Sequence, residues 1–341
     1  MLKLAIIGVG WAGERQIQAI RELGRKVEVV SLVDNDSVFL AQKAAESGIS
    51  TTYTDYHDAL RDSTIDAVSI CLPHQLHHPV ALDAARAGKH ILCEKPLAMT
   101  VDDATAMIDA AEAHGVRLFV AENFAYTSQA AFLRGIVSSG EFIGELIAVS
   151  VTWGFQAQNF GYPGRRAWLT QPEQGGTGTW MLHGIHTMAQ VRYIFGEVET
   201  VYLQEHRAAS FQHGEIEGTM TGVLTLRSGV HVTILQTCEI AFPHNLGGYV
   251  LHGDRGSLRA SSAGYEVFGG TADPPGIQPY PAALLTEYAL EIEAFADYVA
   301  GDESAPTTGR SERRSLAIVQ AGYESMQSGQ PINLAARFGD L

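Results

Sequence analysis

Apolar residues in the first third of the chain fall in short runs separated by stretches with helical spacing. Strands are predicted at residues 3–8, 27–33, 67–72, 90–93 and 116–121. Helices are predicted at 12–23, 38–47, 79–87 and 101–114, with a short helical turn at 55–62. Strands that alternate with helices of this length pair in parallel through right-handed crossovers, which predicts a doubly wound sheet. After Asn123 the period changes. A helix at 128–139 leads to a strand at 146–152, a loop rich in glycine and aromatics, and a helix at 179–195. Period-two runs follow at 198–206, 218–226, 231–238, 246–252 and 264–268, with turns at Arg227-Ser228-Gly229 and Gly253-Asp254-Arg255-Gly256. Such alternation predicts an antiparallel or mixed sheet. Helices at 284–300 and 311–328 close the chain. The expected division is a Rossmann domain over 1–123 and an α/β domain for substrate binding and oligomerisation over 124–341.

Composition narrows the partners. The 341 residues are 46% hydrophobic and 18% charged, the balance of a chain that folds on its own. Acidic residues outnumber basic ones 38 to 23, a formal charge of −15, and no Lys/Arg cluster offers a footprint for phosphates. Nucleic acid and anionic membranes are therefore poor partners. The apolar run from Leu4 to Trp11 is too short to span a bilayer and has no cleavage site behind it, so a cytoplasmic protein is expected. Cys71, Cys93 and Cys238 have no C-x-x-C spacing, which fits a reducing compartment.

Gly8-Val9-Gly10-Trp11-Ala12-Gly13 is a GxGxxG between a strand and a helix, where glycines let the backbone approach a pyrophosphate at the helix N-terminus. Asp34 closes the second strand, where a carboxylate accepts ribose hydroxyls and repels a 2′-phosphate. Asn35 and Asp36 supply no cation for such a phosphate, so NAD is expected rather than NADP. Lys95, in His90-Ile91-Leu92-Cys93-Glu94-Lys95-Pro96-Leu97, stands just past a strand end, where such sheets face the cofactor crevice. Pro96 biases Lys95 toward extended geometry.

These elements, with Pro73-x-x-x-His77, Ala87-Gly88-Lys89-His90 and Gly184-Ile185-His186, resemble the glucose-fructose oxidoreductase/inositol dehydrogenase (Gfo/Idh/MocA) family across essentially the whole chain. The resemblance implies a Rossmann domain, a C-terminal α/β domain with a large open, mostly antiparallel sheet, and nicotinamide-dependent oxidation or reduction of a sugar, cyclitol or similar alcohol. It also implies that Lys95 touches substrate hydroxyl and nicotinamide ribose, and that His186 is the general base. Around the cofactor, Gly8, Gly10, Trp11, Ala12, Asp34, Asn35, Leu72, Pro73, His77, Glu94 and Lys95 are expected. Two family aspartates are replaced here, by Leu182 and Ala189. His183 shares a helical face with His186 and either makes up part of the lost polar contact or packs within the helix.

His74, His77 and His78 have no Cys or carboxylate cluster beside them, so no metal site is expected. The loop at 155–172 mixes aromatics, amides and guanidinium groups suited to a polyol pocket. Tyr162, Arg165, Arg166 and Trp168 are expected to line it, the last three resembling the family's Arg-x-Trp region. Asn123 and Tyr126, just past the predicted strand at 116–121, are expected to face the same pocket. The overall expectation is an NAD-dependent dehydrogenase of a sugar, glycoside or cyclitol, assembled as a homodimer or homotetramer. A dihydrodiol-type dehydrogenase and a dinucleotide-binding regulator without turnover are the alternatives.

Overall fold

The computed structural model describes residues 1–156, 167–175, 178–211, 216–240, 242, 246–269 and 275–341. The chain forms two compact units, Met1–Tyr126 with Leu284–Arg313, and Thr127–Ala283 with Arg314–Leu341.

The first unit runs β1 (Leu2–Ile7), α1 (Trp11–Leu23), β2 (Val27–Val33), α2 (Ser37–Ser47), β3 (Thr52–Tyr53), α3 (Tyr56–Arg61), β4 (Ala67–Ile70), α4 (His77–Arg86), β5 (His90–Glu94), α5 (Val101–Ala113) and β6 (Leu118–Ala121). The six strands pair in parallel in the order β3-β2-β1-β4-β5-β6. Leu4, Ile6, Ile70, Ile91 and Leu92 have no exposed surface, as expected of strands covered by helices on both faces. The strand order reverses at β1 and β4, so their carboxyl ends frame the crevice where such sheets bind ligands.

The second unit begins with α6 (Ser128–Ser139), β7 (Leu146–Gly154) and α7 (Pro172–Gly175). A π-turn (Trp180–Gly184) then runs into α8 (Ile185–Phe195). The strands β8 (Val198–His206), β9 (Thr219–Leu226), β10 (His231–Thr237), β11 (Gly248–Gly253), β12 (Ser257–Ser261) and β13 (Gly264–Phe268) follow. The chain ends in α9 (Glu287–Val299), α10 (Gly309–Ser328), β14 (Ile332–Asn333) and α11 (Leu334–Phe338). The eight-stranded sheet has the order β13-β12-β11-β7-β10-β9-β8-β14, antiparallel except for the β7/β10 pair. β12, Ser-Leu-Arg-Ala-Ser, was not expected from the sequence. It lacks β-branched residues and is held by ladders on both sides.

The expected boundary needs one correction, because α9 belongs with the first unit rather than with 124–341. Phe295 packs against Phe119 of β6, their ring centroids 5.7 Å apart, and Ala289, Ile292 and Phe295 join the core containing Ile17, Ile20 and Leu32. At the rim, Lys26 Nζ lies 2.8 Å from Asp297, and the Thr286 N–H donates to Glu22 at 2.7 Å. Among the described residues, no helix is long and apolar enough to cross a membrane, and no group of three His, Cys, Asp or Glu could hold a metal ion.

Candidate active site

The glycine loop is built by close approaches. Gly8 has φ +93°, and a Cβ there would fall 2.3 Å from the Cys71 carbonyl oxygen. A Cβ on Gly13 would fall 2.3 Å from the Gly8 carbonyl oxygen, whereas one on Gly10 would meet nothing within 4 Å. Gly10 precedes α1 without a side-chain cap, leaving the helix N-terminal donors beside open space. That arrangement fits a pyrophosphate. Asp34, just past β2, is buried; its Oδ2 accepts the Val9 N–H at 3.3 Å and its Oδ1 the Asp36 N–H at 3.1 Å. This ties the carboxylate to the glycine loop, where it fits ribose hydroxyls. Asn35 is exposed, Ala12 is half-buried, and Trp11 is 47% exposed, with the Arg15 guanidinium 5.3 Å from its ring centroid.

Lys95 follows β5, and Glu122 follows β6. Because Glu94 pairs with Ala121 in the ladder, Glu94, Lys95 and Glu122 stand at neighbouring strand ends. Gln16 donates through Nε2 to Glu94 Oε1 at 3.1 Å, and its Oε1 accepts from the Ser69 hydroxyl. Glu122 Oε1 accepts the Phe124 N–H at 3.1 Å. Burial pushes the Glu94 and Glu122 carboxyls up to about 7, and the Lys95 charge pulls both back. Glu291, on α9 and 1% exposed, is pushed well above the usual carboxylate range by burial and then by the charges of Glu94 and Glu122. Its Oε2 has no hydrogen-bond partner among the described residues.

His77 has no exposed surface. Its Nδ1 lies 2.9 Å from the Pro96 carbonyl and its Nε2 2.9 Å from the Leu72 carbonyl. The ring therefore lies between the Leu72-Pro73 segment after β4 and the segment after β5, the latter containing a cis Lys95–Pro96 peptide bond. Burial lowers its pKa. Asn123 is buried. Tyr126, expected to face the pocket, has its hydroxyl 2.9 Å from that of Thr307 and its ring against the first unit's core. Cys93 is buried and Cys71 partly so, and burial pushes both thiols well above their ordinary range.

In the second unit, His183 lies in the π-turn and His186 in the first turn of α8, their ring centroids 6.0 Å apart. His186 is 6% exposed. The His183 ring lies 4.3 Å from Phe155. Leu182 packs with Phe155 and Phe211 on Ile216 and Cys238, so an apolar cluster takes the position of a family carboxylate. Ala189 is buried as well. The expected continuous α-helix from residue 179 is corrected to a π-turn, because side chains from elsewhere in the unit take up its first N–H groups. Trp168 is half-buried in a 3-10 turn (Ala167–Thr170). Tyr162, Arg165 and Arg166 lie outside the described residues.

Sequence reasoning missed Glu122, Glu291 and Gln16. Glu122 carried the same signal as Asn123, a position directly after a parallel strand. Glu291 and Gln16 carried none, because each sits on a helix whose docking partner is distant in sequence.

Comparison with known proteins supplies the family. Residues 2–122 match the oxidoreductase family with an NAD-binding Rossmann fold, and residues 139–334 match its C-terminal alpha/beta domain. The chain is 31% identical over 325 residues to a 1,5-anhydro-D-fructose reductase from Ensifer adhaerens, covering 94% of each chain. It is 29% identical over 353 residues to a D-apiose dehydrogenase from Paraburkholderia graminis, covering 97% of this chain and 89% of that one. An Agrobacterium radiobacter oxidoreductase solved with NAD+, L-tartaric acid and magnesium shares the fold, with a TM-score of 0.86 at 24% identity over 98% and 99% of the two chains. With both domains matched in order and a nucleotide cradle at the reversal point of its parallel sheet, this chain belongs to the Gfo/Idh/MocA family of NAD-binding oxidoreductases.

Proposed function

We propose that this enzyme oxidises a secondary alcohol of a sugar, glycoside or cyclitol, with NAD as the hydride acceptor. The observation that carries the reading is the lysine at the β5 end, whose charge acts on the buried Glu94 and Glu122, in the same unit as the glycine loop and Asp34. The names of the two relatives, a reductase and a dehydrogenase of sugars, support the substrate class. When bound, NAD supplies the electrophilic carbon that takes the hydride. Hydride leaves a carbinol carbon readily only as the hydroxyl proton is lost, so the site needs a cation for the oxygen and an acceptor for the proton. Lys95 provides the ammonium that stabilises the developing alkoxide. His186 takes the proton as a neutral imidazole, assistance typically worth ~10² to 10⁴ in rate.

Mixing the protein with NAD and a pooled polyol library tests this by nicotinamide absorbance. Catalytic NADH formation is expected, and its absence from every member of the pool would favour the regulator reading. Lys95→Met is expected to abolish turnover while NADH affinity stays near normal. Near-normal turnover in that variant would remove Lys95 from the mechanism.

The apolar surroundings of Leu182 favour a second reading, a cyclic dihydrodiol as the substrate. Assaying a dihydrodiol beside a methyl glycoside separates the two. We further infer a cytoplasmic homodimer or homotetramer. Free thiols at Cys71, Cys93 and Cys238 support the compartment, and exposed Ile147 and Phe268 on the large sheet support association. Sedimentation of the full chain reads the assembly.

A further inference from the structure

A helix begins with N–H groups that no preceding turn accepts. Thr179, just before the π-turn, is of the type that ordinarily caps with its hydroxyl. Its φ of −58° and ψ of −33° are already helical, however, and it makes no cap bond. Its buried Oγ1 has no hydrogen-bond partner among the described residues. The donors go elsewhere. The Trp180 N–H donates to Glu217 Oε1 at 2.8 Å. The Met181 N–H donates to the Tyr323 hydroxyl oxygen at 3.1 Å, and that hydroxyl donates to the same Glu217 oxygen at 2.8 Å. Only with Leu182, whose N–H reaches the Gly178 carbonyl at 3.0 Å, does the helix accept its own donors.

The surroundings are shaped to this carboxylate. A Cβ on Gly178 would fall 1.7 Å from Glu217 Oε2, so the glycine leaves room for the carboxylate where it lies. Trp180 Nε1 donates to the Val319 carbonyl on α10 at 3.0 Å, and a Cβ on Gly184 would come within 2.8 Å of the Trp180 ring. On the other side, the Thr187 hydroxyl donates to Gln236 on β10 at 3.0 Å. A negative group at a helix N-terminus also meets the favourable end of the helix dipole. Tyr323 is held as the neutral phenol, its pKa pushed well above the ordinary value by burial and by the Glu217 charge.

We propose that Glu217 is a positioning residue for His183 and His186. Delivered from the entry to β9 and relayed by Tyr323, it replaces Thr179 as the cap of the π-turn and sets where both imidazoles point. The importance of His186 rests on the function proposed above, whereas the capping itself does not.

The test uses the full chain labelled with 13C at the histidine rings, with the His183 and His186 signals assigned through His183→Asn and His186→Asn. Glu217→Ala is expected to displace both signals while those of His57 and His114 stay in place. Glu217→Gln, which keeps the accepting oxygen, is expected to restore them, and Thr179→Val to leave them unmoved. With a polyol that turns over, Glu217→Ala should lower kcat about tenfold or more with little change in KM. Should Glu217→Ala not fold, Tyr323→Phe is read in the same spectra, since it removes the acceptor of Met181 and leaves the Trp180 bond. Unmoved imidazole signals in folded Glu217→Ala or in Tyr323→Phe would overturn the proposal, as would equal displacement by Thr179→Val. The spectra need no turnover, so displaced signals in a protein inactive on every polyol would remove the function and leave the cap.

Discussion

Glu291 carries a carboxyl group that folding makes harder to ionise, because burial and the neighbouring Glu94 and Glu122 all oppose a negative charge there. Its folded pKa lies above its unfolded one, so the native state holds a proton that the unfolded chain releases. Stability is then full below the unfolded value of 4.5 and is lost as pH rises through the folded value. Glu94 and Glu122, raised to about 7, act in the same direction between 4.5 and about 7. Glu291→Gln is therefore expected to raise the Tm at pH 8 by about 2–4 °C for each kcal/mol recovered, with the gain vanishing toward pH 4.5. Equal Tm changes at both pH values would show that the shift is absent. Asp34 makes the second residue-scale prediction. Asp34→Ser combined with Asn35→Arg should move the kcat/KM ratio toward NADP by at least tenfold, because it removes a repelling carboxylate and adds a phosphate partner. Asp34 and Lys95 were legible in the sequence, since each follows a strand within a motif of a few residues. Glu291 was not, because desolvation depends on everything packed around a group.

At the scale of elements, the strands and helices of the first unit were legible because burial on both faces writes continuous apolar runs between amphipathic stretches. What escaped was the use made of some of them. His77, read as a residue near the cofactor, lies between two strand-end segments, against the carbonyls of Leu72 and Pro96. His77→Ala should lower stability by about 1–3 kcal/mol, because the carbonyl that accepts the single N–H of the neutral ring loses its donor, and should reduce kcat more than it weakens NADH binding. A variant with wild-type kcat and lowered stability would confine His77 to the scaffold. Likewise, the apolar periodicity of 179–195 predicted a helix but not its π-turn, because local spacing carries no record of Glu217 and Tyr323 arriving from elsewhere.

On the scale of the whole molecule, α9 completes the first unit although about half of the chain separates it from β6. Phe295→Ala, which removes a fully buried ring from the Phe119 contact, should cost about 3–5 kcal/mol by denaturant midpoint. A chain ending at Tyr126 should not give a cooperative thermal transition, since the face of α1 and β6 that α9 covers would meet water. Cooperative melting of that fragment would make α9 an accessory. The sequence by itself determined the two kinds of sheet, the glycine loop with its partner Asp34, and the lysine at a strand end. Each of these is written in the spacing of neighbouring residues and in backbone sterics, which act over a few positions. Tertiary structure alone decided that α9 closes the nucleotide unit, that the charge of Lys95 acts on Glu94 and Glu122 with Glu291 beside those two, and that a carboxylate from the entry to β9 caps the histidine helix. Those outcomes turn on desolvation and on unsatisfied donors, and both are properties of a folded environment rather than of any stretch of chain.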